Sequence, residues 1–233
     1  MKAVILAGGK GTRLGEHTIK IPKPMVKIGK FPILKHIIDI FVKQGVREFY
    51  IAAGYKKAVI DQYFKKNKSN KINIKIVDTG LHSLTAKRIM LLKKFFHKGE
   101  NFFMTYGDGL SNVNLKKLLK LHYKFNKVAT LTAVRPPARF GEISITNSFV
   151  KRFEEKPQLS DGWINGGFFV FNYKIFDYLG KNSNDMLEQE PIARLVKNKE
   201  LVAYKHDGFW TCMDTPRDKE RIERILKSKT IEW

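Results

Sequence analysis

The sequence predicts an α/β domain: a mostly parallel central sheet with helices on both faces and a mixed β/α C-terminal portion. Three observations carry that reading. Short apolar runs alternate with helical segments through residues 1–134. The helical segments place apolar residues three and four positions apart. After residue 134 the alternation gives way to a hairpin pattern and more isolated strands. No internal repeat and no linker rich in Pro, Gly or Ser divides residues 1–233, so a single domain is expected.

Residues 2–6 form a short apolar strand that runs into a glycine-rich loop. Apolar residues at 33, 34, 37, 38, 40 and 41 predict an amphipathic helix over 33–42, closed by Gly45. Residues 49–53 read as strand, 58–64 as helix, 72–77 as strand and 86–96 as helix. Residues 102–106 read as a strand ending in Gly107-Asp108-Gly109. A helix over 112–125 puts Leu115, Leu118, Leu119, His122 and Phe125 on one face and Lys116, Lys117, Lys120, Lys124 and, just beyond its end, Lys127 on the other. Residues 128–134 are a strand, and 142–153 a hairpin turning at Asn147-Ser148. Strands follow at 162–171 and 201–206, and helices at 173–180, 185–197 and 216–227. Pro191 falls inside 185–197 and suits the start of a helix, where a missing N–H costs nothing, better than an interruption. In such sheets ligands bind beyond the carboxyl ends of the strands. The glycine loop and Gly107-Asp108-Gly109 both fall there.

Composition narrows the function classes. With 43% hydrophobic and 28% charged residues, the chain resembles an ordinary globular domain. No run approaches the ~20 apolar residues of a membrane span. The apolar amino-terminal run is shorter than a signal-peptide core. The lone cysteine, Cys212, has no internal disulfide partner, so a cytoplasmic location is the expectation. The net charge of +22 is uneven: residues 1–150 carry 29 Lys+Arg and 8 Asp+Glu, leaving +1 for residues 151–233. Such asymmetry points to nucleic acid, an anionic membrane surface or phosphorylated small molecules. Lysines outnumber arginines 34 to 10 and often sit among Asn and Ile, which fits a solvated surface. No nucleic-acid motif is present, and the basic residues lie on several separate helices.

The chemistry-bearing residues follow the first strand. Ala7-Gly8-Gly9-Lys10-Gly11-Thr12-Arg13-Leu14 offers backbone N–H groups to anionic oxygens, and equally suits a tight strand-to-helix turn. Its spacing excludes the dinucleotide fingerprint and the Walker loop. Lys20-Ile21-Pro22-Lys23-Pro24-Met25 then holds Lys23 on a stiff segment between two prolines. Asp108 between glycines suits either a cation ligand or a plain turn. His206 and Cys212 lack ligand-like partners. Zinc, thiol-nucleophile and Ser-His-Asp chemistries have no supporting constellation.

In order and spacing, these motifs resemble the sugar-1-phosphate nucleotidyltransferases. The likeness runs from Leu6–Leu14 and Lys23-Pro24 through Tyr106-Gly107-Asp108-Gly109, Arg135-Pro136-Pro137, Arg139-Phe140-Gly141 and Phe153-Glu154-Glu155-Lys156-Pro157. It continues through Gly162-Trp163-Ile164-Asn165-Gly166-Gly167-Phe168-Phe169, Glu188-Gln189-Glu190-Pro191, Gly208-Phe209-Trp210 and Met213-Asp214-Thr215. Within the family the subgroup most similar is the glucose-1-phosphate cytidylyltransferases. The resemblance implies a Rossmann-like nucleotidyltransferase fold, with residues 1–134 binding nucleotide and 135–233 binding sugar phosphate. It implies that CTP and a sugar 1-phosphate, glucose 1-phosphate first, react with Mg²⁺ as cofactor to give CDP-sugar and pyrophosphate. Arg13, Lys23 and Asp108 would be catalytic. Leu6, Ala7, Gly8, Gly9, Gly11, Thr12, Arg13, Lys23, Thr85 and Gly107 would bind nucleotide. Glu155, Lys156, Asn165 and Gly166 would bind the sugar phosphate, and Asp108 and Asp214 the metal.

Two departures bear on specificity. Thr85-Ala86-Lys87-Arg88 stands where the subgroup has Thr-Gly-Gly-Arg, so Lys87 replaces a glycine beside the nucleotide. Residues 65–75 are short where the glucose-1-phosphate enzymes carry an insertion. dTTP or UTP use, or another sugar phosphate, are the alternatives, with nucleic-acid binding a distant one. Trp210 reads as a core aromatic. The resemblance leaves a homo-oligomer open and gives no reason for a membrane partner.

Overall fold

The computed structural model describes residues 1–136, 142–154, 162–180, 184–228 and 233. Seven strands form one sheet in the order Leu201–His206, Ala129–Val134, Ile164–Asn172, Asn101–Tyr106, Lys2–Ala7, Glu48–Ala53 and Asn73–Asp78. Ile164–Asn172 runs antiparallel to both neighbours. The other pairings in the sheet are parallel. The mostly parallel sheet read from the sequence is therefore present.

Strand alternation divides the core. Along Lys2–Ala7, Ala3, Ile5 and Ala7 join one buried cluster, while Val4 and Leu6 join the other. Helices Ile33–Lys43, Lys57–Lys66, Leu115–Phe125 and Pro216–Ser228 feed the first cluster. Helices Thr85–Met90, Ile175–Tyr178 and Glu190–Lys197 feed the second. Both faces are thus covered, as parallel strands require. Among the described residues, no helix is long and apolar enough to cross a membrane.

Several expected elements change at their ends. The helix expected over 86–96 stops at Met90 and resumes as a 3₁₀ turn, Lys93–Phe95. The break lets both Leu92 and Phe96 reach the second cluster. The helix expected from 112 begins at Leu115, because the Asn114 side chain accepts the Lys117 N–H at 2.9 Å and Gln44 accepts the Leu115 N–H at 2.8 Å. The helix expected from 185 begins at Glu190, with Pro191 in its first turn as anticipated. That expected over 173–180 contracts to Ile175–Tyr178. The hairpin forms from Glu142–Thr146 and Phe149–Glu154. Asn147 and Ser148 turn it with φ of 48° and 67°, the positive pair a two-residue hairpin turn demands.

One pairing had no sequence signal and places the site. Gly109–Ser111 pairs antiparallel with Trp210–Cys212, Gly109 opposite Cys212. The Met213 N–H then donates to the Asp108 carbonyl at 2.9 Å. Asp108 and Asp214, far apart in the chain, leave this small sheet side by side.

Candidate active site

The glycine loop leaves the Lys2–Ala7 strand beside the end of Asn101–Tyr106, where Leu6 pairs with Tyr106. Leu6 and Ala7 are buried, and the Gly107 N–H donates to the Leu6 carbonyl at 2.9 Å. Gly8 is buried against Arg88, while Gly9 and Thr12 are exposed, so the outer part of the loop faces beyond the sheet. Two glycines are required by their neighbours. Gly11 has φ of +65°, and a Cβ there would lie 2.6 Å from the Cβ of Lys23. A Cβ on Gly8 would lie 2.0 Å from the Arg88 guanidinium.

Arg88 holds this loop from behind. It is buried on the Thr85–Met90 helix and donates to the Gly8 carbonyl at 2.9 Å, the Gly80 carbonyl at 2.9 Å and the Thr79 hydroxyl at 2.6 Å. With a longer bond to the Ala53 carbonyl at 3.4 Å, one planar guanidinium thereby ties the ends of three strands together. Burial lowers its pKa, opposed by the charge of Asp78. In the sequence Arg88 stands out only as the end of Thr85-Ala86-Lys87-Arg88, with no sign of this role. A cation contacting main-chain carbonyls has no periodicity to reveal it.

Lys23 sits in a 3₁₀ turn, Lys23–Met25, between Pro22 and Pro24. The Met25 N–H donates to the Pro22 carbonyl at 2.8 Å, which closes the turn. The residue is only 9% exposed. Its ammonium donates to Asp108 Oδ2 at 2.6 Å and Asp214 Oδ1 at 2.5 Å. Burial pulls its pKa down, but the two carboxylates outweigh this and hold it above the ordinary lysine value. Burial likewise works to raise Asp214, and the Lys23 hydrogen bond and the charges of Lys23 and Arg13 bring it below the ordinary carboxylate value. Arg13 reaches Asp214 Oδ1 at 3.2 Å from a side chain 73% exposed, which leaves most of it open to solvent and ligands.

A capping box fixes Asp214. The Asp218 carboxylate accepts the Thr215 N–H at 2.9 Å and the Asp214 N–H at 3.1 Å, while the Asp218 N–H donates to the Thr215 hydroxyl at 3.3 Å. Neighbouring Cys212 is no nucleophile, because burial and then the nearby carboxylates push its thiol up to about 12.

The expected sugar side begins at a bulge in Ile164–Asn172, between Asn165 and Phe169. Asn165 Oδ1 accepts the Gly167 N–H at 2.8 Å, and Asn165 is exposed. The Trp210 indole N–H donates to the Gly166 carbonyl at 2.7 Å. Trp210 is therefore more than the core aromatic expected: it pins the turn that presents Asn165. The Tyr106 hydroxyl donates a hydrogen bond to Glu188. Burial first, and then Glu188, raise the Tyr106 pKa, so it stays a donor. Glu188 also accepts from the Thr85 hydroxyl at 2.8 Å, and that hydroxyl accepts the Leu187 N–H at 2.7 Å. The Thr85 side chain is thus committed to the 184–188 segment. Lys87, half-buried, lies on the same helix. Glu155 and Lys156 lie outside the described residues, as do residues 137–141.

The structure thus gathers Leu6, Ala7, Gly8, Gly9, Gly11, Thr12, Arg13, Lys23, Gly107, Asp108 and Asp214 at one end of the sheet. Among the described residues no three His, Cys, Asp or Glu side chains converge as a self-sufficient metal site. Asp108 and Asp214 nevertheless point one oxygen each at a single cation, the Lys23 ammonium. Hard carboxylate donors of that number suit Mg²⁺ when substrate phosphates and water complete its shell.

Comparison with known proteins agrees with this geometry. The profile of the nucleotidyl transferase family matches residues 2–218. The glucose-1-phosphate cytidylyltransferase of Salmonella typhimurium is 40% identical over 254 residues, covering 100% of this chain and 98% of that protein. The D-glycero-alpha-D-manno-heptose 1-phosphate guanylyltransferase of Aneurinibacillus thermoaerophilus is 31% identical, covering 97% and 99%. In fold, the chain is similar to a putative glucose-1-phosphate thymidylyltransferase from Bacillus anthracis, with a TM-score of 0.78, 19% identity and coverage of 100% and 97%.

Proposed function

From the premise that the chain belongs to the nucleotidyl transferase family, we propose that it transfers a cytidylyl group from CTP to a sugar 1-phosphate, glucose 1-phosphate first, giving CDP-sugar and pyrophosphate. The observation that carries the reading is the cationic pair Arg13 and Lys23, set between a glycine loop and two converging aspartates. The 40% identity to a cytidylyltransferase across the whole chain supports the choice of CTP and glucose 1-phosphate.

The residues suit this reaction because its difficulty is electrostatic. A phosphate monoester loses its second proton near pH ~6, so the sugar-phosphate oxygen is already a nucleophile at neutral pH. That oxygen forms a bond to the α-phosphorus of CTP as the bond to the pyrophosphate oxygen breaks, and no protein base is required. The chain must hold two polyanions together and stabilise charge on the reacting and departing phosphates. Backbone N–H groups from Gly8 to Gly11 would cradle the triphosphate, with Leu6, Ala7, Thr12, Thr85 and Gly107 lining the nucleotide. Arg13, largely exposed, would neutralise the β- and γ-phosphates, and Lys23 would reach the α-phosphate. Lys156 would receive the sugar phosphate. Glu155 and Asn165 would accept from or donate to sugar hydroxyls beside the Gly166 backbone. A divalent cation, Mg²⁺ by donor type, would be held by Asp108 and Asp214 and supply further neutralisation of phosphate charge.

The test is a matrix of CTP, dTTP, UTP and GTP against several sugar 1-phosphates, with pyrophosphate release as the readout. The expected result is the highest kcat/KM for CTP with glucose 1-phosphate. A tenfold preference for another nucleotide would move the specificity while leaving the reaction type in place.

A further inference from the structure

Lys23 is placed to do something besides meeting the nucleotide. Its ammonium lies within 2.6 Å of Asp108 Oδ2 and 2.5 Å of Asp214 Oδ1. Those are the same two carboxylates that a divalent cation would use. Mg²⁺ binds carboxylate oxygens at about 2.0–2.1 Å, so a metal on both aspartates and the Lys23 ammonium claim one position. Two cations cannot share it. The side chains holding the ammonium are shielded, at 22% and 28% exposure for the aspartates, so the pair attracts strongly and salt screens it little.

The lysine cannot leave by moving its backbone. Pro22 and Pro24 stiffen its turn, and Gly11 packs against its Cβ. Its flexible four-carbon stem can still swing the ammonium to a new anionic partner. The nearest ligand-facing elements are the glycine loop and Arg13, where the proposed reaction puts nucleotide phosphate. Arg13 already touches Asp214, so the two cations and two carboxylates form one connected network.

We propose that Lys23 is an exchangeable internal counterion that makes divalent-metal binding at Asp108 and Asp214 conditional on nucleotide. While Lys23 sits on the aspartates, free metal competes poorly for them. An incoming triphosphate gives the ammonium a second anion, frees the carboxylates, and metal and nucleotide bind together. One residue would then order the assembly of the site and keep it from capturing metal before substrate. This inference rests on the nucleotidyl-transfer reading above.

The test measures Mn²⁺ affinity of the full chain directly, by the electron paramagnetic resonance of free Mn²⁺. Without nucleotide, Lys23→Met and Lys23→Gln should bind Mn²⁺ at least tenfold more tightly than wild type, although both lose turnover. The gain should disappear when Asp214→Asn is added. A non-hydrolysable CTP analogue should tighten Mn²⁺ binding in wild type by a larger factor than in Lys23→Met. Equal Mn²⁺ affinity in wild type and the folded variants, with the analogue still bound, overturns the counterion role and leaves nucleotidyl transfer intact. Failure of wild type to bind the non-hydrolysable analogues of CTP, dTTP, UTP and GTP alike removes both. A measurement on unmutated protein guards against misfolded variants: in chain labelled at lysine Nζ, Mg²⁺ alone should leave the shielded Lys23 ammonium resonance in place, and Mg²⁺ with the analogue should move it. Movement by millimolar Mg²⁺ alone overturns the proposal.

Discussion

The glycine loop and the 142–154 hairpin are built on opposite terms. Behind the loop, the single Arg88 side chain engages Gly8, Thr79 and Gly80 together, and Lys23 is enclosed by two prolines and two aspartates. The hairpin is exposed along both described strands. Ile143, Ile145, Val150 and Phe153 face solvent, and Phe149 is 72% exposed. A two-stranded hairpin carries little stability of its own. The contrast places the reaction's fixed charges where the chain organises them before any substrate arrives, which is where preorganised electrostatics have most effect. The side proposed to face the sugar gets its order from fewer contacts, such as the Trp210 bond to Gly166.

That contrast can be broken or sharpened by mutation. The largest effect belongs to the charges: Asp108→Asn should lower kcat by about 10²–10³-fold while circular dichroism and melting show a folded protein. Normal turnover in a folded variant would remove Asp108 from the mechanism. Next comes the loop support. Arg88→Met takes the donors from two buried partners, the Gly8 carbonyl and the Thr79 hydroxyl, and from the exposed Gly80 carbonyl, at about 1–3 kcal/mol for each buried group left poorly satisfied. It should lower the melting temperature and raise KM for CTP, and Arg88→Lys should rescue little, because one ammonium cannot reproduce the two-armed geometry. The smallest effects lie on the sugar side. Trp210→Phe loses about 1 kcal/mol of hydrogen bonding, an increase of about fivefold in KM for the sugar phosphate with KM for CTP unchanged. Phe149→Ser should shift stability by no more than about 0.5 kcal/mol. A large loss there would show that the hairpin is held as firmly as the loop.

The sheet was legible because short apolar runs alternate with helical segments of period 3.6; residues 3–7 are apolar throughout because Ala3, Ile5 and Ala7 bury on one face and Val4 and Leu6 on the other. The hairpin turn at Asn147-Ser148 was legible from residues that tolerate positive φ. Helix starts were less so, since Gln44 caps Leu115 from a distant helix and leaves no local mark. For the site, order and spacing of motifs named Arg13, Lys23, Asp108 and Asp214. The pairing that unites the aspartates, Gly109–Ser111 with Trp210–Cys212, joins two three-residue strands too short for any periodic signal. The roles of Arg88 and Glu188 were hidden for a related reason: both act on partners brought near only by folding, Glu188 on Thr85 and Tyr106, and Arg88 on the Gly8 carbonyl.

The most direct test follows ³¹P resonances during incubation of the protein with CTP, glucose 1-phosphate and Mg²⁺. Attack at the α-phosphorus predicts loss of all three CTP signals, appearance of pyrophosphate, and a new pair of coupled diphosphate resonances from CDP-glucose, none of which Asp108→Asn produces at a comparable rate. Orthophosphate with CDP, or unchanged CTP across the whole set of sugar phosphates, would contradict it.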